Sequence, residues 1–91
     1  MEYIDVIWSH DNSNDPFRLV SELGKDRYEV RKIEFFPHGG VGYASENKTK
    51  LGTRLGEVPV PSLEEINSDT QFIGKNISIE EFESLWSIYV Q

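Results

Sequence analysis

The stretch from Tyr28 to Ser45, YEVRKIEFFPHGGVGYAS, restricts the fold more than any other part of the chain. Two runs rich in β-branched and aromatic residues flank Pro37-His38-Gly39-Gly40. Pro37 fixes φ at the entry to the turn, and the glycines accept positive φ without a Cβ clash, so the segment reads as a β-hairpin. In its first arm the alternation slips: Tyr28 and Val30 share one parity, Ile33 and Phe35 the other. A bulge near Arg31-Lys32 would bring Val30 and Ile33 to one face, and burial of a central strand on both faces is the alternative. In the second arm Val41 and Tyr43 share one face and Gly42 and Ala44 the other, so a bulky neighbour is expected against the small-residue side.

Upstream, Tyr3–Ser9 alternates with Ile4, Val6 and Trp8 on its more apolar side, the period of a first strand. His10-Asp11-Asn12-Ser13-Asn14-Asp15-Pro16 is a run of turn formers and reads as a surface loop. Phe17–Leu23 alternates again, and Gly24-Lys25-Asp26 turns the chain into the hairpin. Downstream, Glu46–Pro61 loses apolar periodicity and carries Lys48, Lys50 and Arg54. So long a loop in so small a domain is either functional or mobile, and a loosely packed crossing segment is the expectation.

Two helices are marked by their starts. Ser62-Leu63-Glu64-Glu65 and Ser78-Ile79-Glu80-Glu81 both have the S-x-x-E spacing of a capping box, with glutamates at the positive end of the helix dipole. Ile77 and Phe82 are placed for a hydrophobic staple across the second start. The first helix ends near Asn67-Ser68-Asp69. In the second, Phe82, Leu85, Trp86 and Tyr89 follow i, i+3, i+4, i+7, which lays one face on the sheet and turns Glu80, Glu83, Ser84 and Ser87 outward. The periodicity buries both Trp8 and Trp86, and the two are expected to meet in the core. The fold class is α+β: an antiparallel sheet of about four strands followed by two helices, the last packed on one sheet face, in a single domain over residues 1–91.

The 91 residues include no cysteine, which removes disulfides, thiolate metal sites and cysteine nucleophiles. The start lacks a basic segment followed by a long apolar run, so neither a leader nor a membrane span is expected, and a cytoplasmic location follows. The formal charge is −7, and it is concentrated late in the chain. From Glu57 onward, Glu57, Glu64, Glu65, Asp69, Glu80, Glu81 and Glu83 stand against Lys75 alone. Such a surface repels phosphates, so direct nucleic-acid binding is disfavoured and a basic protein partner is favoured, with solubility the plainer explanation of the charge.

Trp8-Ser9-His10-Asp11, Asp15-Pro16, Ser21-Glu22-Leu23, Tyr28 to Glu34, Gly42-Tyr43-Ala44, Pro59 to Asn67 and Glu80 to Trp86 together resemble an uncharacterised family of small bacterial stand-alone domains. The resemblance covers nearly the whole chain. It implies a bacterial or phage source and brings no activity with it. Small, acidic, single-domain bacterial proteins are also similar to the immunity proteins that neutralise secreted toxins, a likeness of size, charge and architecture rather than of residues.

Neither histidine carries a metal site on its own: His10 sits by a turn, His38 in the hairpin loop, and too few ligands accompany them, so no metal and no cofactor are expected. The glutamate pairs are explained by helix capping, and no nucleophile elbow, P-loop or dinucleotide fingerprint occurs, so the chain is read as non-catalytic. An enzyme whose site assembles only in a dimer is the remaining catalytic alternative. The leading expectation is an immunity-type inhibitor of a basic toxin such as a nuclease, with Glu64, Glu65, Asp69, Glu80 and Glu83 standing in for phosphates. Its rival is a small-ligand module in which Lys48, Lys50 and Arg54 close over an anionic metabolite or nucleotide against Tyr43.

Overall fold

The computed structural model describes residues 1–91. Six strands, β1 (Glu2–Trp8), β2 (Arg18–Leu23), β3 (Glu29–Phe35), β4 (Val41–Ala44), β5 (Thr49–Lys50) and β6 (Phe72–Asn76), form one antiparallel sheet in the order β5-β4-β3-β2-β1-β6. Helix α1 (Leu63–Ser68) lies between β5 and β6 in the chain, and α2 (Ile79–Tyr89) follows β6. The α+β class and antiparallel pairing agree with the sequence, but the sheet has six strands rather than about four. The additional strands are β5, only two residues long, and β6, which returns between the helices to pair with β1.

The hairpin forms as its composition dictates. Gly39 takes φ +91°, Gly39 N–H donates to the Phe36 carbonyl at 2.9 Å, and Phe36 N–H donates to the Gly40 carbonyl at 3.0 Å. The irregularity in β3 falls one step earlier than Arg31-Lys32. Glu22 faces Arg31 but Leu23 faces Glu29, so Val30 is the extra residue. The bulge turns Glu29 to the same side as Leu23 and Lys32, where its carboxylate meets Lys32 Nζ at 3.0 Å.

Both faces of the sheet are buried, each against its own helix. On one side Tyr3, Val20, Ile33 and Phe35 enclose the fully buried Phe82 of α2, with Val41, Ile77, Leu85 and Trp86 around them. Ile77, expected as a staple partner of Phe82, joins this cluster. On the other side Ile4, Val6 and Leu23 pack with Val60, Leu63 and Ile66 and with Phe72. The alternation of β1 therefore separates the two tryptophans instead of joining them. Trp8 shares the parity of Ile4 and Val6 and stacks on Phe72 with centroids 5.7 Å apart, whereas Trp86 stacks on Phe82 at 6.0 Å and meets Tyr43 edge-on.

The segment after β5 is pinned rather than loosely packed. Thr53 is buried and its Oγ1 donates to Glu34 Oε1 at 2.8 Å. Lys32 Nζ donates to the Arg54 carbonyl at 3.1 Å, and Gly56 N–H donates to Glu29 Oε1 at 2.6 Å. At its far end Val60 N–H donates to the Arg27 carbonyl, while Arg27 Nε and Nη2 donate to the carbonyls of Val60 and Pro61, all at 2.9 Å. Thr53 is the bulky neighbour expected beside Gly42: a Cβ on Gly42 would lie 2.1 Å from Thr53 Oγ1.

The outer edge of β6 is closed by one side chain. Asn67 Nδ2 donates to the Gly74 carbonyl at 3.0 Å, and Asn67 Oδ1 accepts from Gly74 N–H at 2.6 Å. Phe72 N–H donates to the Asp69 carbonyl at 3.0 Å. Peptide groups that would otherwise invite another strand are thereby satisfied.

Candidate binding cleft

The α1 side of the sheet carries a cleft of about 360 Å³. Its floor is Ile4 and Val6 of β1, Leu19 and Ser21 of β2 and Phe72 of β6; Val60, Pro61 and Ile66 flank it, and Glu29, Glu65 and Asp69 supply its carboxylates. The apolar floor is a direct result of strand parity, since Ile4, Val6, Leu19 and Ser21 all point to this face. Glu29 reaches it only because of the Val30 bulge.

The three carboxylates differ in what they have left to offer. Glu29 is saturated by Lys32, by Gly56 N–H and by Ser21 Oγ, which donates to its Oε2 at 3.3 Å. Asp69 Oδ1 accepts from Gln71 N–H at 2.9 Å, and its second oxygen has no partner. Glu65 was expected to close a capping box on Ser62, but the box is half formed. Ser62 Oγ accepts from Glu65 N–H at 3.2 Å, and the Glu65 carboxylate bonds nothing in return. At α2 the box is complete, with Glu81 reaching back to Ser78 N–H at 3.3 Å.

On the opposite face the charges neutralise one another. Arg31 Nε donates to Glu22 Oε1 at 2.6 Å and Arg31 Nη2 to Glu83 Oε2 at 2.7 Å, while Tyr3 Oη donates to Glu22 Oε2 at 3.0 Å. The guanidinium lies 4.8 Å from the Phe82 ring centre and 5.0 Å from that of Trp86. Hydrogen bonding to Arg31 holds the carboxyls of Glu22 and Glu83 below the usual carboxylate range. The same two bonds push the Arg31 pKa up, and burial, followed by the bond to Glu22, pushes the Tyr3 phenol up. Arg18 pairs with Asp5 through two bonds of 3.0 and 2.8 Å and its pKa is raised by them.

These contacts sort the residues proposed from sequence. Glu64, Glu65 and Asp69 belong to α1 and its C-cap; Glu80 and Glu83 belong to α2, across the sheet, so the five carboxylates do not form one surface. Glu83 does not simply face outward, because Arg31 takes it. The rival set is not gathered around an open aromatic either. Tyr43 is buried under Trp86; Lys50 is its partner across the β4–β5 pair, Lys48 precedes β5, and Arg54 follows buried Thr53. Glu29 was missed because only the bulge brings it to the cleft. The apolar floor was half visible in the alternation of β1.

The histidines are spent on local structure: His10 Nδ1 accepts from Asn12 N–H at 3.0 Å and its Nε2 lies 2.8 Å from the Pro16 carbonyl, while His38 Nδ1 accepts from Gly40 N–H at 3.1 Å. No three His, Asp or Glu side chains are grouped to hold a metal. No helix is long and apolar enough to cross a membrane.

Residues 2–91 match the family described as a domain of unknown function, DUF6881. The chain belongs to that family. No curated protein and no solved structure matches this DUF6881 chain.

Proposed function

We propose that this DUF6881 domain is a non-catalytic binding protein, an immunity-type inhibitor that neutralises a basic bacterial protein such as a nuclease toxin, and that it does so with the α1 side. One observation carries the reading. Three of the four arginines, and Lys32, are consumed within the fold by Asp5, Glu2, Glu22, Glu83, Glu29 and Glu34, whereas Glu64, Glu65 and Asp69 have no cation within ion-pair distance, and Glu65 and Asp69 border the open cleft. Unpaired surface carboxylates raise the local concentration of a cationic partner and speed its association, most strongly at low salt. The same field repels nucleic acid, so the inhibitor competes for the basic substrate cleft of its target without binding the substrate.

The test is affinity capture from lysate of the source cell, run in parallel with wild type, a Glu64→Lys/Glu65→Lys variant and a Glu80→Lys control. A basic protein held by wild type and by the control, released by salt, and lost from the α1 variant is the expected result. Retention of no basic protein, or equal retention by the α1 variant, refutes the reading.

A further inference from the structure

We infer that the cleft is an anchor pocket for a single aliphatic-stemmed cation, an arginine or lysine side chain of the partner; this deepens the reading above and rests on it. A volume of about 360 Å³ suits one extended side chain and is too small for a helix or a strand pair. Its floor of Ile4, Val6, Leu19 and Phe72 rewards an apolar stem. Its polar end offers negative charge alone. Glu29 is already saturated, which leaves Glu65 and one oxygen of Asp69 to receive a donor.

Of those two carboxylates, Glu65 sits in the first turn of α1, where the helix favours it, and Asp69 at the end, where it does not. They are spaced i, i+4 and so project from one side of α1, where like charges repel. Asp69 is the C-cap, at the negative end of the helix, and the last turn contains no basic residue. The i, i+4 repulsion and the Asp69 charge at the helix end have no cation of the fold to offset them. A bound cation supplies the compensation. A metal ion does not fit the description, because the third carboxylate is occupied by Lys32 and no three-ligand group forms. An anion is repelled, and a neutral apolar group would leave both carboxylates unpaired. Only a cation on a hydrocarbon stem uses both ends of the cleft, as such side chains do when they bury their methylenes and keep the charged head at a polar rim.

The probe is n-butylguanidinium chloride, titrated into the full chain and followed by amide NMR, with n-butanol and guanidinium chloride as controls for the stem and the charge. Saturable shifts are expected at Ile4, Val6, Ile66 and Phe72, with affinity about tenfold above either control and about tenfold weaker in a Glu65→Gln/Asp69→Asn variant, in which both carboxylates keep their shape and lose their charge. An unchanged melting temperature shows that variant to be folded, and Glu65→Gln alone, which disturbs no hydrogen bond of the fold, serves if it is not. Equal binding of n-butanol, equal binding of guanidinium, shifts spread over Glu80 and the other α2 carboxylates, or no shifts at all would each overturn the inference. Any of these leaves the capture experiment standing, and a failed capture leaves a cleft that binds n-butylguanidinium.

Discussion

Replacing Arg31 by methionine keeps an unbranched stem and removes the guanidinium that joins β3 to α2. The Glu22 side chain is 8% exposed and Arg31 20%, so the variant strands a buried carboxylate whose one remaining side-chain partner is Tyr3. Breaking a buried ion pair costs about 3–5 kcal/mol, and the residual exposure of Arg31 places this pair near the lower end, about 3 kcal/mol. The Glu83 contact is half exposed and contributes roughly 0.5 kcal/mol. The contacts with Phe82 and Trp86 add roughly 1 kcal/mol together. The expected loss is therefore about 4–5 kcal/mol, against a total of roughly 5–14 kcal/mol for a chain of this length. A Glu22→Gln/Arg31→Met variant should recover about 2 kcal/mol, because a neutral amide still accepts from Tyr3 and no buried charge remains. Urea unfolding at pH 7, followed by tryptophan fluorescence, measures both. A loss below about 1 kcal/mol in the single variant, or a double variant no more stable than the single, would refute the reasoning.

Two further outcomes follow from contacts already described. Because Glu22 and Glu83 are held below their unfolded pKa, the unfolded chain takes up protons first as pH falls. The stability they contribute is present above the unfolded carboxylate value of about 4.3 and is lost as pH drops through the lower folded values. Wild type should thus lose more stability between pH 6 and pH 3 than the Glu22→Gln/Arg31→Met variant, and equal slopes in urea titrations would contradict this. The Gly42→Ala methyl would meet Thr53 Oγ1 at 2.1 Å and the Lys50 carbonyl at 3.0 Å. Overpacking of this kind costs about 2 kcal/mol, lowering the melting temperature by roughly 10 °C, and adding Thr53→Gly should recover part of it; an unaltered Gly42→Ala melt would show that the strap yields freely.

The elements that local chemistry specifies were legible in the sequence. Gly39 needs its positive φ, and Ser78 with Glu81 and the Phe82-Leu85-Trp86-Tyr89 spacing mark α2 unaided. β6 was hidden because, in Phe72-Ile73-Gly74-Lys75-Asn76, only the first two residues favour a strand. Gly74 is there for space, with Leu63 Cδ2 2.9 Å from where its Cβ would be, and the strand exists through pairing with β1. The core under α2 was half hidden because that side of β1 carries Asp5 beside Tyr3. Asp5 reads as a solvent residue until Arg18, thirteen positions away, is seen to neutralise it. The cleft depends on the bulge and on Val60 crossing from a distant loop, and neither leaves a periodic trace.

The amide of Asn67 has a chemical lifetime, and with it so does the end of the sheet. It fills the place of a seventh strand, giving and taking one bond with Gly74 as a peptide group would. Hydrolysis to aspartate keeps the acceptor, removes the donor and sets a negative charge against the Gly74 carbonyl. An aged molecule would then leave the Gly74 carbonyl without its donor at the edge of the sheet, a place where a neighbouring chain could begin to pair.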